Sequence, residues 1–216
     1  VARYGINAAG TTTNGLVAGG FSIPADARVA NTEEFSANVP VGAWSSAPNI
    51  NTARSFGGGA GIYTSALLFG GTGQPAYTEY YNGSSWTEIA DLNTGKNKTL
   101  GFGLYTAAIN ASGDEGTPSG GSSKTELFNG SSWTEVADQN QVTEQRASVS
   151  GTSTAGLIFG GQLPGPPMQA AAEQWNGSAW TEVGDLNTAR YLFSGSGTTT
   201  AGLAFGGDVD PGFRAL

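Results

Sequence analysis

The chain has 216 residues, carries 17 acidic against 9 basic side chains, and contains neither cysteine nor histidine. A net charge of -8 without a basic stripe excludes nucleic-acid binding, and the lack of cysteine excludes disulfides and thiolate sites. Without histidine the chain lacks the commonest general base and the commonest transition-metal ligand. No apolar run approaches the roughly 18 residues of a membrane-spanning helix, so membrane insertion is not expected.

One phrase recurs three times, as YNGSSWTEIADLNTG, FNGSSWTEVADQNQV and WNGSAWTEVGDLNTA. Its tryptophans, Trp86, Trp133 and Trp180, are 47 residues apart, and Trp44 is assigned to the same position in an earlier copy. A second phrase, clearest as LNTARYLFSGSGTTTAGLAFGG, recurs beside each copy of the first. Together they predict units at about 1–51, 52–94, 95–141 and 142–188, followed by an incomplete unit at 189–216.

Each unit contains four short extended segments in a fixed order. The first follows a basic position, as in 190–195. The second is an apolar run before a glycine pair, as in Ala201–Phe205, where Leu203 and Phe205 share one face. The third is TEYY, TELF or AEQW, and an Asn-Gly turn joins it to the fourth, which begins at the repeated tryptophan. The pattern predicts an all-β fold, a propeller of four-stranded antiparallel blades with a repeat of about 46 residues and almost no helix.

The apolar second segments end in glycine pairs. These pairs are Gly70-Gly71, Gly160-Gly161 and Gly206-Gly207, whereas the third unit has Ser112-Gly113. We expect the glycines to supply positive φ and close backbone approach, and the aromatic residues to fill the space between blades.

A glycine pair after an apolar strand, then an aromatic residue, then a tryptophan resembles the kelch repeat. The marks are Gly70, Gly71, Tyr81 and Trp86 in the second unit, and Gly160, Gly161, Trp175 and Trp180 in the fourth. The gap between the aromatic residue and the tryptophan is shorter than in kelch repeats. The NGSSW and LNTAR forms are also similar to kelch-like repeats of bacteriophage virion proteins and bacterial surface proteins. The resemblance implies a kelch-like propeller located in a virion.

Most acidic residues occupy repeated positions. They are Glu33, Glu79, Glu126 and Glu173 in the third segment, Glu88, Glu135 and Glu182 in the fourth, and Asp91, Asp138 and Asp185 after it. A catalytic carboxylate is needed in one asymmetric place, so we interpret the copied residues as structural and predict no catalytic residue. The repeated basic position, held by Arg3, Arg54, Lys96 and Arg190, is interpreted as a hydrogen-bond or ion-pair partner.

Other motifs give weaker indications of chemistry. Asp208 with Asp210, and Asp114 with Glu115, could bind calcium, but we interpret both pairs as solvated turns and predict no metal site or cofactor. The glycine-rich stretches 57–61 and 195–200 lack the Lys-Ser/Thr ending of a phosphate loop. The aspartate of a sialidase-type box is missing at all three repeated tryptophans. Hairpin turns explain the glycosylation sequons at Asn82, Asn129 and Asn176 without any sugar.

The units differ most between their second and third segments, at 21–31, 72–77, 114–124 and 162–171. Equivalent loops of a propeller emerge on one face, and divergent loops on a rigid frame are typical of a binding surface. The candidate contact residues are Phe21, Ile23, Asp26, Arg28, Gln74, Tyr77, Asp114, Glu115, Lys124, Gln162, Pro164 and Met168. Their few charges and exposed-looking aromatic residues favour protein or glycan contact over catalysis.

The sequence therefore favours a non-catalytic structural or binding propeller, a tail, fibre or capsid-associated virion component. Its expected partners are other virion proteins or a host glycan, in a symmetric assembly. One alternative is a secreted or surface-anchored bacterial adhesin, and another is a glycan-active enzyme with one unrepeated carboxylate pair. The half unit at 189–216 leaves Leu203 and Phe205 without a tryptophan-bearing strand, which predicts a longer chain with six or seven blades.

Overall fold

The computed structural model describes residues 2–10, 13–37, 42–73, 75–117, 120–144, 147–148, 151–163, 167–209 and 212–213. All regular elements in these ranges are β-strands, which confirms the predicted all-β class. None of the described residues forms a helix long and apolar enough to cross a membrane. Gln74, Pro164 and Asp210, which the sequence singled out, lie outside the described residues.

The first unit forms seven strands. In chain order they are β1 (Arg3–Tyr4), β2 (Asn7–Gly10), β3 (Asn14–Ala18), β4 (Phe21–Ser22), β5 (Ala27–Arg28), β6 (Thr32–Ser36) and β7 (Ala43–Ala47). Strands β2, β3, β6 and β7 make a four-stranded antiparallel sheet, here called the first sheet. The other three strands make a small sheet in the order β1-β4-β5, because the divergent loop 21–31 folds back as a hairpin onto the start of the chain.

The next three units each form one four-stranded antiparallel sheet. The second sheet contains β8 (Gly58–Ile62), β9 (Ser65–Phe69), β10 (Thr78–Tyr81) and β11 (Trp86–Glu88). The third contains β12 (Leu100–Leu104), β13 (Ala107–Ala111), β14 (Thr125–Phe128) and β15 (Trp133–Val136). The fourth contains β16 (Ala147–Ser148), β17 (Gly156–Phe159), β18 (Ala172–Trp175) and β19 (Trp180–Val183). Each is a meander in which neighbours in sequence are neighbours in space.

The fifth unit forms two separate hairpins. Their strands are β20 (Ser194–Thr198), β21 (Ala201–Phe205), β22 (Asp208–Val209) and β23 (Gly212–Phe213). Strand β20 begins later than the predicted 190–195, because Tyr191 pairs with Asp208 and Leu192 adopts a left-handed conformation before the strand starts.

The first strands of successive units pack side by side. Strand β2 packs on β8, β8 on β12, β12 on β16, and β16 on β20. Residues of β2, β8, β12 and β20, with Gly151 just beyond β16, line one cavity of about 280 Å³, and most of them are glycines, including Gly10, Gly59, Gly101, Gly151 and Gly195. Glycine allows this close approach because a Cβ would collide: at Gly101 it would lie 2.3 Å from the Phe69 ring.

The hydrophobic core lies between consecutive sheets. Strand alternation sends Leu67 and Phe69 of β9 toward the third sheet, where they meet Phe128 and Trp133. The equivalent contact between the third and fourth sheets joins other members of the repeat: Phe102, Ile109, Trp175 and Trp180. Each sheet therefore buries both faces only by lying between two others.

The sheets stack in a row, and the first sheet and the β20–β21 hairpin at its two ends each have one uncovered face. The described sheets therefore do not form a closed ring. Trp44 of the first sheet is 55% exposed, and Leu203 of β21 is 62% exposed. Trp44 thus differs from Trp86, Trp133 and Trp180, which are buried, because no sheet among the described residues covers that face of the first sheet.

Candidate interaction site

The repeated glutamate of the third strand caps the segment that leads into its own unit. In the second unit, Glu79 accepts hydrogen bonds from the backbone and side-chain amides of Asn51, at 2.6 and 2.9 Å, and from the Thr52 backbone at 3.2 Å. Arg54 forms an ion pair with the same carboxylate, and both side chains are buried. We call this set of donors around the glutamate the glutamate cradle. The carboxylate oxygens are thus occupied by structural donors.

The same cradle recurs in the third and fourth units. Glu126 accepts from the backbone and side chain of Asn93 at 2.7 and 2.9 Å, and Glu173 accepts from those of Asn140 at 2.7 and 2.8 Å. Each asparagine amide also donates to the backbone of a repeated tryptophan, as Asn93 does to Trp133 at 3.1 Å. In the first unit, Arg3 pairs with Glu33 at 3.2 Å.

The basic position differs between units. Lys96 is fully buried and donates to the Lys124 carbonyl at 2.7 Å; burial lowers its pKa to about 8, against the opposing pull of Glu126. In the fourth unit, Thr143 takes the corresponding place, because the Gly113 amide donates to its carbonyl at 3.0 Å. Sequence comparison did not assign Thr143 because threonine is not basic, although it follows Trp133 at the spacing by which Lys96 follows Trp86.

The glycine pairs connect each unit to the next through backbone hydrogen bonds. The first unit has the same pair as Gly19-Gly20. The second member of a pair donates its amide to the carbonyl at the next unit's basic position: Gly20 to Arg54, Gly71 to Lys96 and Gly161 to Arg190, each at 2.8 Å. A Cβ on Gly70 would lie 2.5 Å from the Lys96 carbonyl oxygen. Ser112 replaces the first glycine in the third unit yet keeps the left-handed backbone, with φ of 60°.

We call the residues that precede the first strand of each unit its lead-in segment. Because the hydrogen bonds of the glycine pairs repeat, each of the four divergent loops begins beside a lead-in segment. The lead-in segments converge: Phe56, Lys98 and Leu192 all have left-handed φ between 51° and 57° and, with Gly5, line a cavity of about 330 Å³. The Lys98 ammonium lies 3.0 Å from Glu144 of the next unit. We call this side of the molecule the loop end.

Several candidate contact residues at the loop end serve the structure. Phe21 is half-buried against Tyr4, with ring centroids 5.4 Å apart, rather than exposed as expected, because β4 pairs with β1. Glu115 accepts from Ser122 and lies 3.8 Å from Lys124. Asp114 accepts the Gly116 amide at 2.8 Å.

Other candidate residues face solvent. They are Ile23, Asp26, Arg28 and Tyr77. Gln162 and Met168 line a cavity of about 530 Å³, together with Pro167, Tyr191 and Val209. Tyr191 donates to Asp208 at 3.1 Å, and this hydrogen bond raises the pKa of the phenol. The lining is mostly apolar with a few amide and hydroxyl groups, which suits a peptide side chain or a sugar face.

Several unrepeated carboxylates are also engaged. Tyr81 donates to Glu34 at 2.6 Å, and burial together with this bond raises the pKa of Tyr81. Two further unrepeated carboxylates have side-chain partners: Glu144 pairs with Lys98, and Asp208 accepts a hydrogen bond from Tyr191. Among the described residues, no three acidic side chains gather as metal ligands would.

Comparison with known protein families and with curated proteins finds no match to this chain.

Proposed function

We propose that the protein is a kelch-like propeller element that binds rather than catalyses, working as a structural component of a bacteriophage virion. The observation that carries the non-catalytic part is the glutamate cradle: Glu79, Glu126 and Glu173 are buried and accept hydrogen bonds from structural donors just before their own units. A saturated carboxylate that also supports the fold is a poor general acid or base.

The propeller assignment is supported by the side-by-side first strands, the shared glycine-lined cavity and the cores between sheets. The virion assignment rests on the resemblance of the repeat and on a surface with few charges. Mass spectrometry of density-purified particles, with the cell-surface fraction as comparison, tests this assignment. Recovery only from the cell surface would favour the adhesin alternative.

Within this function, the loop end is the proposed contact surface. Ile23, Arg28 and Tyr77 are exposed there on loops anchored by the glycine pairs. Overlay binding to dissociated particle proteins and to a bacterial glycan array should be lost in Tyr77→Ala and Arg28→Ala. The matched control is Thr134→Ala, on an exposed outer strand. Loss of binding in the control alone would place the contacts on the outer strands.

A further inference from the structure

Two of the repeated tryptophans donate to a threonine of the preceding sheet. Trp133 donates its indole N–H to Thr78 at 3.1 Å, and Trp180 donates to Thr125 at 2.9 Å. Each threonine is the first residue of the third strand of its unit. All four side chains are buried, so this bond supplies a partner to an indole donor that is removed from solvent.

The contact between the first and second sheets has the same two residues without the bond. Trp86 begins β11 and Thr32 begins β6, and they are 7% and 1% exposed. Neither the Trp86 Nε1 nor the Thr32 Oγ1 has a hydrogen-bond partner among the described residues, and the same is true of the buried Nδ2 of Asn7. A buried polar atom without a partner is costly, because it has given up its hydrogen bond to water.

The strand register brings Asn7 and Thr32 to the same face of the first sheet. Asn7 is opposite Ala18, and Ala18 is opposite Thr32, so the three residues form one row across three strands. Ala18 packs in the same cluster as Trp86, so this face meets the second sheet. Asn7 and Thr32 are two strand spacings apart, roughly 10 Å, with only the alanine methyl between them.

The equivalent rows of the next two sheets are filled by apolar side chains. These rows are Gly58, Phe69 and Thr78 in the second sheet, and Leu100, Ala111 and Thr125 in the third. Phe69 lies against Trp133, with ring centroids 4.9 Å apart, and Leu100 belongs to the cluster of Trp180. The row of the first sheet has neither the phenylalanine nor the leucine, so it has less apolar volume and one more polar side chain.

A small cavity lies at the row of the first sheet. Its lining includes Asn7, Leu16 and Ala18 of the first sheet, and Leu68 and Trp86 of the second. Its volume is about 10 Å³. A volume on the order of 10–15 Å³ is the least that holds one ordered water, so a larger ligand does not fit.

We propose that this cavity binds one structural water, which joins the first sheet to the second in place of the direct bond between tryptophan and threonine. The water accepts hydrogen bonds from the Trp86 indole and the Asn7 amide, and it donates to the Thr32 hydroxyl. About three hydrogen bonds are usual for a buried water. The site goes beyond the proposed function and does not depend on the virion assignment.

A high-resolution crystal structure of the 216-residue protein tests the site, with Trp133 and Trp180 as controls in the same molecule. We expect an ordered water within hydrogen-bond distance of the Trp86 Nε1 and the Thr32 Oγ1, and none at the other two indoles. A direct bond from Trp86 to Thr32 would overturn the proposal, as would a Trp86 indole N–H that no water approaches.

The variant Asn7→Leu gives the first sheet the row of the third sheet, which is leucine, alanine and threonine. The leucine should expel the water, and Trp86 should then donate directly to Thr32, as Trp180 does to Thr125. The crystal structure of the variant measures both changes. A water that stays beside Trp86 in this variant would contradict the proposal, because Asn7 would not be one of its partners.

Replacing each threonine by valine removes the same hydroxyl at three contacts. Thr78→Val and Thr125→Val leave an indole N–H without a partner, so each should lower the folding equilibrium constant about tenfold or more in urea unfolding. Thr32→Val should lower it only a few-fold, because the water keeps Trp86 and Asn7 as partners. Leu16→Ala, which removes a buried side chain of β3, is the control that unfolding reports on the first sheet.

Two outcomes of the valine series contradict a bound water. Equal losses at the three threonines would mean that Trp86 donates directly to Thr32. A gain of stability in Thr32→Val would mean that the hydroxyl is buried without any partner, because valine then replaces an unsatisfied polar group by an apolar group of the same shape.

Discussion

The repeated tryptophans occupy one strand position in two environments. Trp133 is buried among Phe69, Phe128 and Leu92, whereas Trp44 contacts Phe35 but is 55% exposed. Trp133→Ala should lower the free energy of unfolding by about 3–5 kcal/mol, through lost burial and a cavity. Trp44→Ala should cost about 1 kcal/mol. Urea denaturation measures both, and equal costs would contradict the assigned burial.

Lys96 makes stability depend on pH in the alkaline range. Burial lowers its folded pKa to about 8, below its ordinary value of 10.5, so between these values the unfolded chain binds the proton more strongly. Stability therefore rises with pH from about 8 toward 10.5. Between pH 7 and 9.5 the gain should be on the order of 2 kcal/mol relative to Lys96→Arg, which does not titrate there.

The measurement is urea unfolding of both proteins across that range. It stays below pH 10, because the raised pKa of Tyr81 removes stability once unfolded tyrosines ionise. Parallel curves for the two proteins would show that the Lys96 ammonium is not destabilised by burial.

Individual residues were predictable where the repeat fixes them. The sequence predicted the repeated basic residues to be hydrogen-bond or ion-pair partners, and Arg54 forms such a pair with Glu79. It did not place Thr143 in the basic position, because this unit is the one that holds a non-basic residue there. It also could not foresee the left-handed Phe56 and Leu192, because tertiary contacts impose a conformation that their side chains disfavour.

At the scale of elements, the glycine pairs join one unit to the next. Gly70 and Gly206 hold the same repeat position with φ of 65° and 72°, but a Cβ on Gly70 would lie 2.5 Å from the Lys96 carbonyl, whereas one on Gly206 meets nothing within 4 Å. Gly206→Ala should cost about 1–2 kcal/mol for the left-handed backbone alone. Gly70→Ala should cost a further 1–3 kcal/mol for the forced separation of units.

Thermal melting of the two variants checks this difference. Similar losses of stability in the two variants would mean that both glycines are needed for their left-handed dihedral angles, and that Gly70 is not needed for the close approach of two units.

Strand identities were largely predictable from alternation and turns. Strands β10, β14 and β18 match the three predicted third segments residue for residue, and the fourth strands begin at the repeated tryptophans. The hairpin within loop 21–31 was missed, because its pairing with β1 is a contact between distant segments that leaves no local pattern. The same limit explains why Phe21 was expected to be exposed.

At the scale of the whole molecule, stability should decline from the centre of the succession toward its ends. Each sheet gains much of its burial from its two neighbours, so a sheet with one neighbour has less to lose on opening. Strand β13 is buried between the second and fourth sheets, while β21, at the same repeat position, has one face and one edge that no other described strand covers.

Native-state hydrogen exchange compares these two strands directly. Amides of Ala107–Ala111 should exchange at least about a hundredfold more slowly than those of Ala201–Phe205, because opening the hairpin β20–β21 breaks one intersheet contact and opening the third sheet breaks two. Residues Asn14–Ala18 of the first sheet should lie between them, since that sheet keeps four strands but has one open face. Uniform protection across the three strands would mean that the sheets unfold as one cooperative unit, in which the covering of each face is not what sets local stability.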